Sequence, residues 1–336
     1  MSMNEKLIDI CDMIYEDKEV LRKKMIWETG SNSLSILAAF MYASENKRAD
    51  AEKYKECKKI LKKTVGAFNE LRGLVEAVVI TKMSLTDNPQ EYAEGVRDVY
   101  KKLRSIHKLT ASPYMVLASM TIYEKGGVAK ADEYIDILEE IYKKMKAAHP
   151  MLTWDSDRAL MAVMATSDVN VDKIIDKVEE NYKSFKGMTI YKDALHSMAQ
   201  ALAVSDKPSE VLKEEITDLS KELKKAKKKV DKQFGLTTLG LLTMLDIPKD
   251  QIVSEMVEAD DYLKTKRGFK WYNNNGPRFR RIYDALVVML LHANGQNEMI
   301  KAAMSTTMDF IIAVIVSTMI AVSSSSAAAS SSSSGS

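Results

Sequence analysis

The chain has 336 residues, 46% apolar and 29% charged, with 49 basic and 47 acidic side chains and a net charge of +2. That balance gives no global attraction to nucleic acid or a membrane surface, so any such preference has to be local. The two cysteines, Cys11 and Cys57, have no metal-ligand spacing and form no disulfide framework, and the polar start from Met1 to Lys6 contains no apolar signal core. A cytoplasmic protein with buried thiols is expected.

Helix formers dominate, with only 6 Pro and 13 Gly, and the 21 Met fit the irregular gaps of a helical core. In chain order, residues 1–45 are expected to form a pair of capping helices, and residues 46–86 a first, diverged helix pair. Asn88-Pro89-Gln90-Glu91 then reads as a helix start: a cap, a Pro at the first helical position, and a Glu three residues after the cap. Ser112-Pro113 and Ser209-Glu210 read the same way, while Gly126-Gly127, Gly187 and Gly268 fall where helices should stop. Between these marks apolar residues recur at three- and four-residue spacing, as in Leu212, Ile216, Leu219, Leu223, Ala226 and Val230.

Internal similarity organises the elements. Tyr100-Lys101-Lys102-Leu103, Tyr142-Lys143-Lys144-Met145 and Tyr182-Lys183-Ser184-Phe185 each close an amphipathic stretch. Each is followed by a polar turn and a more apolar helix: Tyr114 to Tyr123, Arg158 to Thr166, Ala194 to Val204, with Leu236 to Leu245 a fourth member. The period of about 40 residues is that of HEAT-like helix-pair arrays. The predicted fold is all-α, an array of helical hairpins forming an α-α superhelix over 46–300, with an irregular helical bundle as the alternative.

The tail differs. Between Ala302 and Val322 only Asp309 is charged, and residues 323–336 are Ser, Ala and Gly alone. The last stretch reads as a disordered tail. The uncharged run Phe310 to Val322 falls short of the roughly 20 residues a spanning helix needs, so a last helix at 301–322 packed on the array is expected over a membrane anchor.

Chemistry-bearing motifs are sparse. The strongest cluster runs from Lys264 to Arg281, where Lys266, Arg267, Lys270, Arg278, Arg280 and Arg281 interleave with Trp271 and Tyr272. Cations that pair with phosphate and aromatic faces that stack on planar rings suit an anionic ligand, a nucleotide or single-stranded nucleic acid. The competing reading is an inter-helix loop whose aromatics pack and whose arginines pair with acids. Lys224-Lys225-Ala226-Lys227-Lys228-Lys229 reads as a solvated face at a helix C-terminus. In His149-Pro150-Met151-Leu152-Thr153-Trp154-Asp155-Ser156-Asp157 one His lies near two carboxylates, without a second His at ligand spacing, and Thr153 or Asp155 is expected to cap a helix. His107, His196 and His292 are scattered singly. No phosphate loop, dinucleotide fingerprint, zinc-protease pair or nucleophile elbow is present, and no metal or cofactor is implied.

His149-Pro150-Met151-Leu152-Thr153, followed by Asp157 and the helix Ala159 to Ala165, resembles a His-Pro-Phe-Leu-Thr pattern before an Ala/Leu-rich helix. That pattern belongs to a bacterial family of uncharacterised proteins, domain-of-unknown-function family four thousand and three. Gly66-Ala67-Phe68-Asn69-Glu70-Leu71-Arg72-Gly73, Leu195-His196-Ser197-Met198 and the small-residue tail are also similar to it; Met151 stands where the pattern has Phe. The resemblance implies helical architecture and bacterial origin, and carries over no functional residue. Two readings follow. The first is a non-enzymatic interaction or scaffold protein binding a protein or peptide. The second is a binder or enzyme acting on a phosphorylated small molecule or nucleic acid through residues 264–281. Membrane contact through the apolar C-terminal segment is disfavoured.

Overall fold

The computed structural model describes residues 3–25, 31–66, 69–106, 112–167, 169–233, 235–245, 247–270 and 280–293, together with Ile312 and Val316. Fourteen α-helices occur among them, in seven antiparallel hairpins, and no strand. In chain order the hairpins are α1 (Met3–Arg22) with α2 (Ser31–Ser44), α3 (Ala51–Val65) with α4 (Glu76–Leu85), and α5 (Pro89–Ile106) with α6 (Pro113–Gly126). They continue with α7 (Ala131–Ala148) and α8 (Arg158–Ala165), α9 (Val171–Ser184) and α10 (Lys192–Ala201), α11 (Ser209–Lys225) and α12 (Gly235–Thr243), and α13 (Lys249–Leu263) and α14 (Arg280–Ala293).

The two members of a hairpin differ in kind. Odd-numbered helices carry one apolar stripe: in α11 it is Leu212, Ile216, Leu219 and Leu223, all buried between charged faces. Each such side chain contributes about 1.5–3 kcal/mol on burial. Even-numbered helices are apolar on most sides, and every residue of α8 and of α12 is buried. A helix without a polar face has to be covered all round. The even helices therefore form an inner layer, and the odd ones wrap it. Local signals set the boundaries. Ser112 accepts the Met115 amide at 3.3 Å, and Asn88 and Glu91 bond each other at the start of α5. Ser209 begins α11 but caps nothing; its hydroxyl donates to Asn181 in the core. Gly95 sits mid-helix because the Tyr123 ring lies where a Cβ would be.

The array closes on itself. Helices α13 and α14 pack against α1, and α14 also against α2. The first hairpin, expected as a cap, is thus the neighbour of the last, and the superhelix is a ring. In a stacked array each unit leaves one apolar face for the next, and here the two terminal faces cover each other. At the seam the Tyr262 hydroxyl donates to Asp12 at 2.7 Å, Lys266 pairs with Asp12 at 2.6 Å, and Tyr283 stacks on Phe40 with centroids 5.9 Å apart. The Lys18 ammonium, buried on α1, donates to the Arg267 carbonyl at 2.6 Å, and Asn32 donates to the Gly268 carbonyl at 3.0 Å. Burial pulls the Lys18 pKa below its ordinary value, against the pull of Glu19.

Cys11 and Cys57 are both buried and free. Burial pushes the Cys57 thiol up to about 11 and the Cys11 thiol higher still, so neither is a reactive thiolate. No helix among the described residues is long and apolar enough to cross a membrane.

The seam yields a test. Gly268 has φ +92°, and a Cβ there would stand 2.3 Å from the Lys18 amine and 2.6 Å from Asn32. Gly66 has φ +75° with nothing within 4 Å. Gly66→Ala therefore carries backbone strain alone, about 1–3 kcal/mol at ψ −172°, whereas Gly268→Ala adds loss of the seam contacts and is expected to cost about 1–3 kcal/mol more in urea unfolding. Equal costs for the two variants would contradict the seam.

Candidate functional site

The expected anionic-ligand residues are now placed. Lys266 lies on Asp12, its ammonium over the Tyr262 ring at 4.6 Å. Arg280 and Arg281 both reach Asp260 at 2.5 Å, and Lys228, from the lysine run after α11, reaches it at 2.5 Å from the other side. Burial tends to raise the Asp260 pKa, but Lys228, Arg281 and Arg280 together hold it below the ordinary value. Next to it Asp284 is fully buried, and burial lifts its carboxyl well above the usual range despite Arg281 at 2.7 Å. Arg267 and Lys270 are exposed. Trp271, Tyr272 and Arg278 lie outside the described residues. Three of the six cations thus meet carboxylates of the fold itself.

A second polar cluster forms where α7, α8, α9 and α10 meet. His149 ends α7, and its Nε2 lies 2.6 Å from the Glu179 carboxylate on α9. Its ring stands 5.1 Å from that of His196 on α10 and 4.7 Å from Tyr182 on α9. His196 is fully buried; its Nδ1 is 2.9 Å from the Gln200 amide nitrogen, which also donates to Asp157 at 3.2 Å. The expected capping by Thr153 or Asp155 falls instead to Asp157, whose carboxylate accepts the Trp154 amide at 2.8 Å. Thr153 bonds the Met145 carbonyl and Asp155 accepts from Arg158, which also pairs with Glu139. Burial raises the Asp157 pKa to about 6, and burial, then the nearby His149, lowers that of His196 to about 4. His196 Nε2 and Gln200 Oε1 have no hydrogen-bond partner.

Perturbed groups of this kind occur in acid–base sites and in structural networks alike. Sequence reading treated His196 as a lone residue because 46 positions separate it from His149; the hairpin repeat supplies the juxtaposition. The available signal was that both histidines belong to the family-like stretches. His292 pairs with Glu255 at 2.7 Å, away from this cluster, and His107 lies outside the described residues. Among the described residues no group of three or more His, Cys, Asp or Glu is placed to hold a metal ion.

The cluster also ties together two surface loops. In a ring of antiparallel hairpins every odd-to-even link lies on one rim and every even-to-odd link on the other. The first rim carries Leu74, Ile106, Met151, Trp154, Ile190 and Tyr191 as exposed large apolar side chains; Met151 is 76% and Ile190 88% exposed. Among the described residues the second carries only Val128, Val169 and Val211. Lys146 braces the α7–α8 loop by donating to the Pro150 and Thr153 carbonyls at 2.8 and 2.7 Å, with Trp154 against its ammonium. Lys264 to Lys270, which follow α13, belong to the same rim.

Two measurements test these assignments. Asp260 is 3% exposed and shared by three cations, so Asp260→Asn is expected to cost about 3–5 kcal/mol by leaving buried charge unpaired, read from chemical denaturation. The histidine cluster predicts a pH signature. Folding raises the Asp157 pKa from 3.8 to about 6, so its contribution to stability falls as pH rises through that window. Folding lowers the His196 pKa from 6.5 to about 4, so its contribution falls as pH drops from 6.5 to 4. The two slopes oppose each other in the wild type. His196→Gln is expected to become more stable on acidification from pH 6.5 to 4.5, and Asp157→Asn less stable, each by up to about 2 kcal/mol in urea midpoints followed against pH. Two variants that keep the wild-type slope would remove the assignment.

Comparison with known proteins adds the family and nothing on activity. No curated protein and no solved structure matches the chain significantly. A family model described as "Protein of unknown function (DUF4003)" matches residues 15–321, from α1 through the apolar C-terminal segment. Two of the stretches that resemble the family, His149 to Asp157 and Leu195 to Met198, meet in this buried cluster, and the chain belongs to the DUF4003 family of proteins of unknown function.

Proposed function

We propose that this protein is a non-enzymatic interaction protein that docks a protein or peptide partner on the rim formed by the odd-to-even links. The observation that carries this reading is the unequal distribution of exposed large apolar side chains, with Met151, Trp154, Ile190 and Tyr191 presented by two adjacent loops. Exposed aromatic and long aliphatic side chains grouped on a rigid support are what interfaces use as anchors. The support here is the His149–Glu179 and His149–His196 contact, which fixes the α7–α8 loop against the α9–α10 hairpin. Ring closure removes the extended concave groove of an open superhelix, which moves the binding surface from the groove to the rim.

An anionic ligand at residues 264–281 has weaker support, because Lys266, Arg280 and Arg281 would have to leave Asp12 and Asp260 to reach it. A cytoplasmic setting fits the reading, since both cysteines are free thiols.

A photo-crosslinking amino acid placed at Ile190 or Met151 is expected to capture a discrete partner in the native cell, and the same group at Val169 on the opposite rim is not. Ile190→Glu combined with Met151→Glu should weaken partner binding by roughly 30-fold or more while moving stability by less than about 0.5 kcal/mol. Capture from Val169 alone, or affinity unchanged by both glutamates, would refute the rim as the docking surface.

A further inference from the structure

A hollow ring would show water the inward face of each inner helix. All eight residues of α8 and all nine of α12 are buried, and eight successive residues at the helical step point in every direction. The outer helices cover only the outward face, so something covers the inward one. Seven helices at the usual spacing of about 8–10 Å stand on a circle about 18–23 Å across. Subtracting one helix diameter of about 10 Å leaves a hole about 8–13 Å wide, the width of one further helix.

Two residues beyond α14 are described, and both are buried in the hydrophobic core. Ile312 and Val316 are helical, one turn apart, and buried at 7% and 2% exposure. Ile312 shares a small cavity with Val78 and Lys82 of α4, Leu117 and Thr121 of α6, and Ala159 of α8. In ring order the inner helices run α14, α2, α4, α6, α8, α10, α12, so α6 and α8 stand across the ring from α14, where the preceding described stretch ends. From Phe310 to Val322 the sequence has no charged residue. A segment apolar on all sides fits a site walled by buried inner helices, with Val78, Leu117, Met120 and Ala159 among the residues around Ile312.

We infer that the interior of the ring binds the chain's own C-terminal apolar segment, with Ile312 and Val316 as its contacts, and that the ring is folded around it. The segment then serves neither as a membrane anchor nor as an outer cap, and the interior holds no chamber for a diffusible ligand. This inference does not depend on the rim reading.

The test uses the full chain with a small diazirine amino acid at position 312, which needs no reagent to reach a buried site. Irradiation is expected to link it within the molecule to α4, α6 or α8, identified by peptide mass. Links to the odd-numbered helices alone, or only between molecules, would overturn the inference. Ile312→Asp is expected to lower Tm by about 5 °C or more, and Val316→Ala by a smaller step if the aspartate variant does not fold. A Tm unchanged in both, or flotation of the wild type with phosphatidylcholine vesicles, would equally count against it.

Discussion

An inner helix with no polar face imposes one demand that shapes this molecule: it has to be covered on every side. In α8 and α12 that demand is met without exception, and α2, α4, α6 and α14 come close to it. A single hairpin covers one side, its two ring neighbours cover two more, and the ends of a row would stay exposed. Closure removes the ends. The contacts that achieve it join residues more than 230 positions apart, through Lys18, Asn32, Asp12 and their partners after α13. Such contacts cost loop-closure entropy that grows only slowly with separation, so the apolar faces brought together outweigh it.

The polar groups follow from the same arrangement. Charges that sit between layers are paired, because an isolated ion there would be far costlier than a pair. Asp260 gathers Lys228 from the α11–α12 link and Arg280 and Arg281 from the start of α14, and Arg158 is held by Glu139 and Asp155. In the His149–His196–Asp157 cluster the buried His196 Nε2 and Gln200 Oε1 lack hydrogen-bond partners. Those groups shift toward their neutral forms, the carboxyl upward and the imidazole downward, which is how a buried site avoids charge it cannot pair. Fold alone does not name a function.

Much of this was legible in the residues. Period, composition and caps placed the alternation of amphipathic and apolar helices, and the tyrosines at 100, 142 and 182 fall in the C-terminal halves of three successive outer helices, only Tyr182 in the last turn. The cysteines as buried thiols were legible as well, from their place in helical patterns. Ring against open superhelix was not, because curvature is the sum of small rotations between hairpins and no residue encodes it alone. The basic–aromatic loop shows the same division. Its composition was visible at once, whereas its partners Asp12 and Asp260 stand on other helices and emerge only when α13 meets α1 and α14. The two histidines, each unremarkable in its own segment, acquire a shared environment only because consecutive hairpins stack.

By itself, then, the sequence determined which segments are helical, which faces are apolar and where hairpins turn, since these depend on neighbours within a few residues. Tertiary structure decided that the first hairpin meets the last, which charges are neutralised, which loops share a rim, and that Ile312 lies beside α4, α6 and α8. Those outcomes depend on the rotation accumulated over seven hairpins, a property of the packed layers and of no single stretch of chain.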